Sequence, residues 1–201
     1  MTIVEDRPLA GHEAARRAMV ESQLRTSGVN ADWLLRRMSE VAREQFVPAA
    51  ASSYAYIDRA IAIDGTHHLA APVVQGMMLQ EAQPTKDDKV LLVDCGSGYL
   101  AELVRPLVGS LEVLSPSEAV AKARKAGDFT LLLIDGAIEQ LPDSLVGRLA
   151  EGARVVTGLV QNGISRLAIG RKAAGEVALF PLAELGIPSL PEFAAPKGWR
   201  F

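Results

Sequence analysis

An uninterrupted apolar run, Val90, Leu91, Leu92 and Val93, stops at Asp94 and gives way to Cys95-Gly96-Ser97-Gly98, after which apolar residues return at helical spacing over 101–107. A short run with valine at each end reads as a buried strand, the glycines as a tight turn, and the segment after them as a helix. The alternation repeats downstream, with strands predicted over 111–114 and 129–134, helices over 117–126 and 141–149, and a turn and strand over 152–159. Strands that alternate with helices of this length predict a parallel sheet covered by helices, an α/β fold. Segments 167–170 and 176–182 predict a closing antiparallel hairpin, and the last fifteen residues, with Pro188, Pro191 and Pro196, predict loop or an edge segment.

The sheet has a helical preface. Ala15, Met19, Val20 and Leu24 recur at helical spacing within 11–26, and Asn30 is placed to N-cap a second helix through Trp33, Leu34, Leu35, Met38 and Val41. Phe46-Val47-Pro48 ends that helix, because proline forces the residue before it out of the α region. Residues 49–63 read as a loop-rich connection and 73–81 as a helix. The 201 residues are expected to form one domain, with an N-terminal helical and substrate-side segment over 1–71 and the sheet core over 72–201.

Composition narrows the partners. A formal net charge of -3 leaves no excess of Lys and Arg for a phosphate backbone, which argues against nucleic acid. The longest apolar runs, 131–134 and 155–160, fall far short of the roughly 18–20 residues that span a bilayer, so no membrane segment is expected. Glu5 and Asp6 near the start have the wrong charge for a secretory leader, and Cys95 is the sole cysteine, so a reducing cytoplasm is the expected compartment.

Gly96-Ser97-Gly98 between a strand and a helix leaves room for a nucleoside-type ligand, although a glycine pair alone equally fits a plain turn. The surrounding residues resemble the protein-L-isoaspartate O-methyltransferase family, whose loop reads approximately G-x-G-S-G-Y and is matched by Gly96-Ser97-Gly98-Tyr99. The similarity extends to Met19-Val20 with Gln23-Leu24, Phe46-Val47-Pro48, Ala55-Tyr56 with Asp58, and Pro72 with Met77. Downstream it takes in 129–134, Leu141-Pro142 with Leu145, and 149–156. The resemblance implies a Rossmann-like methyltransferase sheet and S-adenosylmethionine as cofactor. It also implies methyl transfer to the carboxylate of isoaspartyl-containing proteins or peptides. Cofactor contacts are implied at Asp94, Gly96, Ser97, Gly98, Tyr99 and Asp135, and a substrate side at Thr66, His68, Leu69 and Pro72.

Four departures from the family pattern are visible. Asp94 stands where the family has the first loop glycine and is expected to crowd the cofactor. Ala70 stands at the family's active-site serine and offers no hydrogen bond to orient a substrate carboxylate. Ser115 stands where a carboxylate would accept the ribose hydroxyls, with Glu112 and Glu118 as nearby alternatives. Only 115–128 separate two strands between which the family fits a further strand, so one strand or helix element is expected to be shortened or deleted.

Other candidates carry less. His67-His68 reads as a solvent-facing pair with no third ligand at motif spacing, so no metal site is expected, and His12 adds nothing. Cys95, lacking a histidine partner, reads as a small filler of the turn. Tyr54, Tyr56 and Asp58 line a groove or pack the preface, and Asp135-Gly136 follows a buried strand at the sheet edge where α/β proteins place ligands, or simply caps a turn. Two functions are carried forward: an isoaspartate-type methyltransferase, and a catalytically silent relative that keeps the scaffold for binding.

Overall fold

The structure is a computed structural model that describes residues 7–121 and 127–195, with side chains from residue 11 onward. Helix α1 (Arg7–Met19) runs through a widened turn at Val20–Leu24 and a tight one at Arg25–Ser27, so the first helical segment begins earlier than expected. Helix α2 spans Asp32–Glu40. Its N-cap is Ala31, not Asn30: the Asn30 amide donates to Gln80 Oε1 at 2.8 Å, and that bond draws the chain onto the next helix. Tight turns at Arg43–Phe46 and Ala49–Tyr54 lead to a short hairpin, β1 (Ile61–Ala62) with β2 (His68–Leu69), and then to helix α3 (Pro72–Ala82).

Strand β3 (Lys89–Val93) enters the glycine turn and helix α4 (Tyr99–Val104), followed by β4 (Ser110–Leu114), α5 (Pro116–Val120), β5 (Phe129–Ile138), α6 (Asp143–Val146), β6 (Leu149–Gln161), β7 (Ile164–Ala173) and β8 (Glu176–Glu184). The sheet order is β4-β3-β5-β6-β7-β8. The first four strands in that order are mutually parallel, and β7 and β8 form the expected antiparallel hairpin, β7 pairing antiparallel with β6.

Three predicted segments differ from the structure. The helix expected over 141–149 is only α6, because Leu149 is taken into β6 as the partner of Phe129. Asp135 and Gly136 lie inside β5 rather than after it; β5 continues to Ile138 and gains a parallel bridge from Ala137 to Ser189. The C-terminal segment is therefore more than loop: Leu190 and Phe193 are buried, and the helical turn Pro191–Phe193 packs against the sheet. Pro196, and the second half of the helix expected over 117–126, lie outside the described residues.

The sheet is buried on both faces because β5 is apolar at successive positions. Leu131 and Leu133 face α1 to α4 together with Val90, Leu92 and Val156, whereas Leu132 and Ile134 face α5, α6 and Phe193 with Leu91 and Val93. Each such leucine contributes about 1.5–3 kcal/mol by leaving water. Gly136 and Gly158 keep the C-terminal segment close, since a Cβ at Gly136 would meet Leu190 at 2.6 Å and one at Gly158 would meet Ala137 at 2.7 Å. Among the described residues no helix is long and apolar enough to cross a membrane, and no strand lies between β4 and β5 in sequence. Strand β4 is consequently the sheet edge, with Val113 40% exposed.

Candidate functional site

The chain leaves β3 towards β4 on one side and returns from β4 to β5 on the other, so the strand order reverses between β3 and β5. In open parallel sheets ligands settle in the crevice outside the carboxyl ends of the strands at this reversal. Asp94 follows the end of β3, and Asp135 lies level with it on β5, one residue past the Val93–Ile134 pair. A cavity of about 340 Å³ opens there, lined by Asp64, His67, Asp94, Cys95 and Gly96 on one side and by residues 113–116 on the other. That volume lies within the range of small-molecule sites.

The glycine turn shapes the floor. Gly96 and Gly98 adopt φ of +97° and +75°, backbone that favours glycine, and a Cβ on either would sit in ordinary contact, 4.0 Å from Ile63 and 3.9 Å from Phe46. Asp94 folds back on the turn, its Oδ2 accepting from the amides of Gly96 at 2.8 Å and Gly98 at 2.9 Å, while its Oδ1 is buried without a partner. Ser97 Oγ accepts from the amide of Tyr99, which lies fully buried under the turn. Burial raises the Tyr99 hydroxyl above the ordinary tyrosine range, against the pull of Arg43.

On the opposite wall the ribose-side candidates are already engaged. Ser115 caps α5 in a reciprocal box with Glu118, whose Oε2 accepts from the Ser115 amide at 2.8 Å. Those bonds hold the Glu118 carboxyl below its usual range. Glu112 accepts from Arg148 at 2.6 Å.

The rim carries a correction. His67 is not a free solvent-facing residue: its Nδ1 lies 2.9 Å from Asp64 Oδ2 and its Nε2 2.9 Å from Glu192 Oε1, tying the hairpin turn to the C-terminal segment. The bond to Asp64 raises the histidine above its ordinary value despite partial burial, and the same bond lowers Asp64 to about 2. Thr66 and His68 are exposed on the hairpin, whereas Leu69, Ala70 and Pro72 are buried. Tyr56 is buried and its hydroxyl meets Glu44 and Arg16; Tyr54 lies at the surface beneath Arg59; Asp58 accepts from the Val73 amide at the start of α3.

Beneath the cavity runs a buried polar chain that sequence reading did not find. Arg43, fully buried, donates from Nε to Ala55 O at 2.9 Å, from Nη2 to Ala70 O at 2.5 Å and from Nη1 to Gln75 Oε1 at 2.6 Å, and lies 4.8 Å from the centre of the Tyr99 ring. Gln75 in turn donates to both Asp135 oxygens at 3.1 and 3.2 Å, and Cys95 Sγ reaches Asp135 Oδ2 at 3.3 Å. Desolvation, reinforced by Asp94, lifts Asp135 to about 7. Burial also pushes the Cys95 thiol well above its ordinary range, which removes thiolate chemistry at that position. The chain thus links the backbone of residue 70 to the glycine turn.

Known proteins resemble this chain in sequence and in fold. The family model of protein-L-isoaspartate(D-aspartate) O-methyltransferase matches residues 14–126. A protein-L-isoaspartate O-methyltransferase from Koribacter versatilis is 30% identical over 84% of this chain and 87% of its own length. One of the same name from Pelotomaculum thermopropionicum is 24% identical over 92% and 90%. Among solved structures, one from Plasmodium falciparum assigned as a protein-L-isoaspartate O-methyltransferase, in complex with S-adenosyl-L-homocysteine, superposes with a TM-score of 0.65 at 17% identity, covering 90% of this chain and 98% of that one. At that identity it speaks for the fold.

Proposed function

The chain belongs to the protein-L-isoaspartate(D-aspartate) O-methyltransferase family, and from that premise we propose that it transfers a methyl group from S-adenosylmethionine to the carboxyl group of isoaspartyl residues in proteins or peptides. The observation that carries this reading is the cavity of about 340 Å³ at the strand-order reversal, lined by Asp94, Cys95 and Gly96 of the glycine turn on one side and by residues 113–116 on the other.

Bound there, S-adenosylmethionine would supply a methyl group activated on a sulfonium. The acceptor carboxylate is ionised at neutral pH and requires no general base, so the tasks left to the protein are placement and exclusion of water. Gly96, bare of a side chain, lines the donor's cavity. The β1–β2 hairpin, with Thr66 and His68 on its surface, forms the acceptor side, and Arg43 fixes the backbone of residue 70 at its base. The negative charge of Asp94 suits a sulfonium.

A methyl side chain at position 70 orients nothing. Ala70→Ser is expected to raise methyl transfer to an isoaspartyl peptide roughly tenfold, the worth of one hydrogen bond of about 1.4 kcal/mol, with donor affinity unchanged. A rate equal to that of the unaltered protein would place the limit in the donor cavity instead.

A second reading, a silent scaffold, is favoured by Asp94 filling the turn amides and by Glu118 being committed to Ser115. Calorimetric titration with S-adenosylmethionine and S-adenosylhomocysteine decides between them. Saturable heat, followed by methyl incorporation into an isoaspartyl peptide, supports the transferase. Absence of heat from both ligands supports the scaffold.

A further inference from the structure

A glycine turn between a strand and a helix ordinarily offers bare main-chain N–H groups, which attract the anionic part of a ligand. In this protein the amides of Gly96 and Gly98 already donate to Asp94 Oδ2. Asp94 is 7% exposed and lines the cavity, and the recorded bonds of its carboxylate are those two amides, so a negative group borders the ligand space. Arg43 donates to Ala55 O, Ala70 O and Gln75, and His67 bonds Asp64 and Glu192, so the recorded bonds of these two residues go to partners other than Asp94. A ligand carboxylate entering the turn would find its donors taken and a like charge in their place. A ligand amine or sulfonium would meet the opposite charge.

Resting on the methyl-donor reading above, we infer that the cavity selects cationic nucleoside sulfoniums lacking a carboxylate over S-adenosylmethionine itself, with Asp94 as the specificity-determining residue. The selection is the reverse of that of a turn with free amides, and it arises from one side chain at the first position of the turn.

The test is calorimetric titration of the full chain with S-adenosylmethionine, its decarboxylated counterpart and S-adenosylhomocysteine, on the unaltered protein, Asp94→Asn and Asp94→Gly. Asparagine keeps an acceptor for the turn amides and so guards against loss of the fold, which circular dichroism checks. The unaltered protein is expected to bind the decarboxylated sulfonium at least tenfold more tightly than S-adenosylmethionine, with S-adenosylhomocysteine weakest. Both variants are expected to lose that preference, and Asp94→Gly to bind S-adenosylmethionine at least tenfold more tightly than the unaltered protein does.

Equal affinities in the unaltered protein, or a preference kept in both variants, would overturn the selection and leave the donor reading standing. Binding seen only in the variants would overturn it too, reducing Asp94 to a plug. Silence of all three proteins towards all three probes would overturn the donor reading, and the selection with it.

Discussion

Arg43→Met is expected to destabilise the fold by about 3–5 kcal/mol, the cost of removing one partner from a buried charged network. Three acceptors, Ala55 O, Ala70 O and Gln75 Oε1, would lose their donor together, and the Tyr99 ring its stacked cation. Asp135 would also lose the one cation that acts on it through Gln75. Methionine fills much of the volume, so a large loss reports the polar bonds rather than a cavity. Urea unfolding measures it, and a loss below about 1 kcal/mol would mean that water or rearrangement replaces the guanidinium. Because Arg43 acts on Asp135 through Gln75, the stability gained by Asp135→Asn near pH 7 should be larger in the Arg43→Met background, where that cation is gone, than in the unaltered protein.

How much of the fold the sequence disclosed depends on how local each signal is. The apolar run from Val90 to Val93, the glycines after it and the closing hairpin are set by neighbouring residues, and each is found where its pattern placed it. The end of β5 was not legible, because Asp135 and Gly136 look like a turn until Pro188 and Leu190 bond to Ala137 from fifty residues away. The short α6 was hidden for the same reason: Leu149 fits a helix face as well as a strand, and only its pairing with Phe129 decides.

At the site, the family motif points to the turn and marks Asp94 as its departure from the family pattern. Its fold-back onto the turn amides depends on backbone geometry that the sequence does not display. Arg43 carries no sequence signal, since an arginine beside Glu44 reads as surface, and Gln75 carries a weak one. A polar residue on the apolar face of α3 was the available clue. His67 required its distant partner, Glu192, to be recognised as a bridge.

Asp135→Asn is expected to become progressively more stable than the unaltered protein as pH rises from about 4 to 7. The carboxyl is fully buried and its folded value is lifted from 3.8 to about 7, first by desolvation and then by Asp94. Below 3.8 the group is protonated both folded and unfolded and contributes no pH dependence. Between the two values the unfolded chain releases its proton while the folded chain retains it, so stability falls with pH; above 7 both forms are ionised and the loss is complete. At about 1.4 kcal/mol per unit, the penalty removed by asparagine is on the order of 4 kcal/mol. His67, whose value is also raised, loses stability only as pH climbs above the ordinary histidine range, and Asp64, Asp88, Glu118 and Asp128 act oppositely because theirs are lowered. Those contributions are common to both proteins and cancel in the difference between their urea midpoints. A difference that stays constant from pH 4 to pH 8 would mean that Asp135 ionises as freely folded as unfolded. In that case Gln75, Cys95 and Arg43 would be stabilising its charge in full, and the negative potential beneath the glycine turn would be larger than the folded value of about 7 implies.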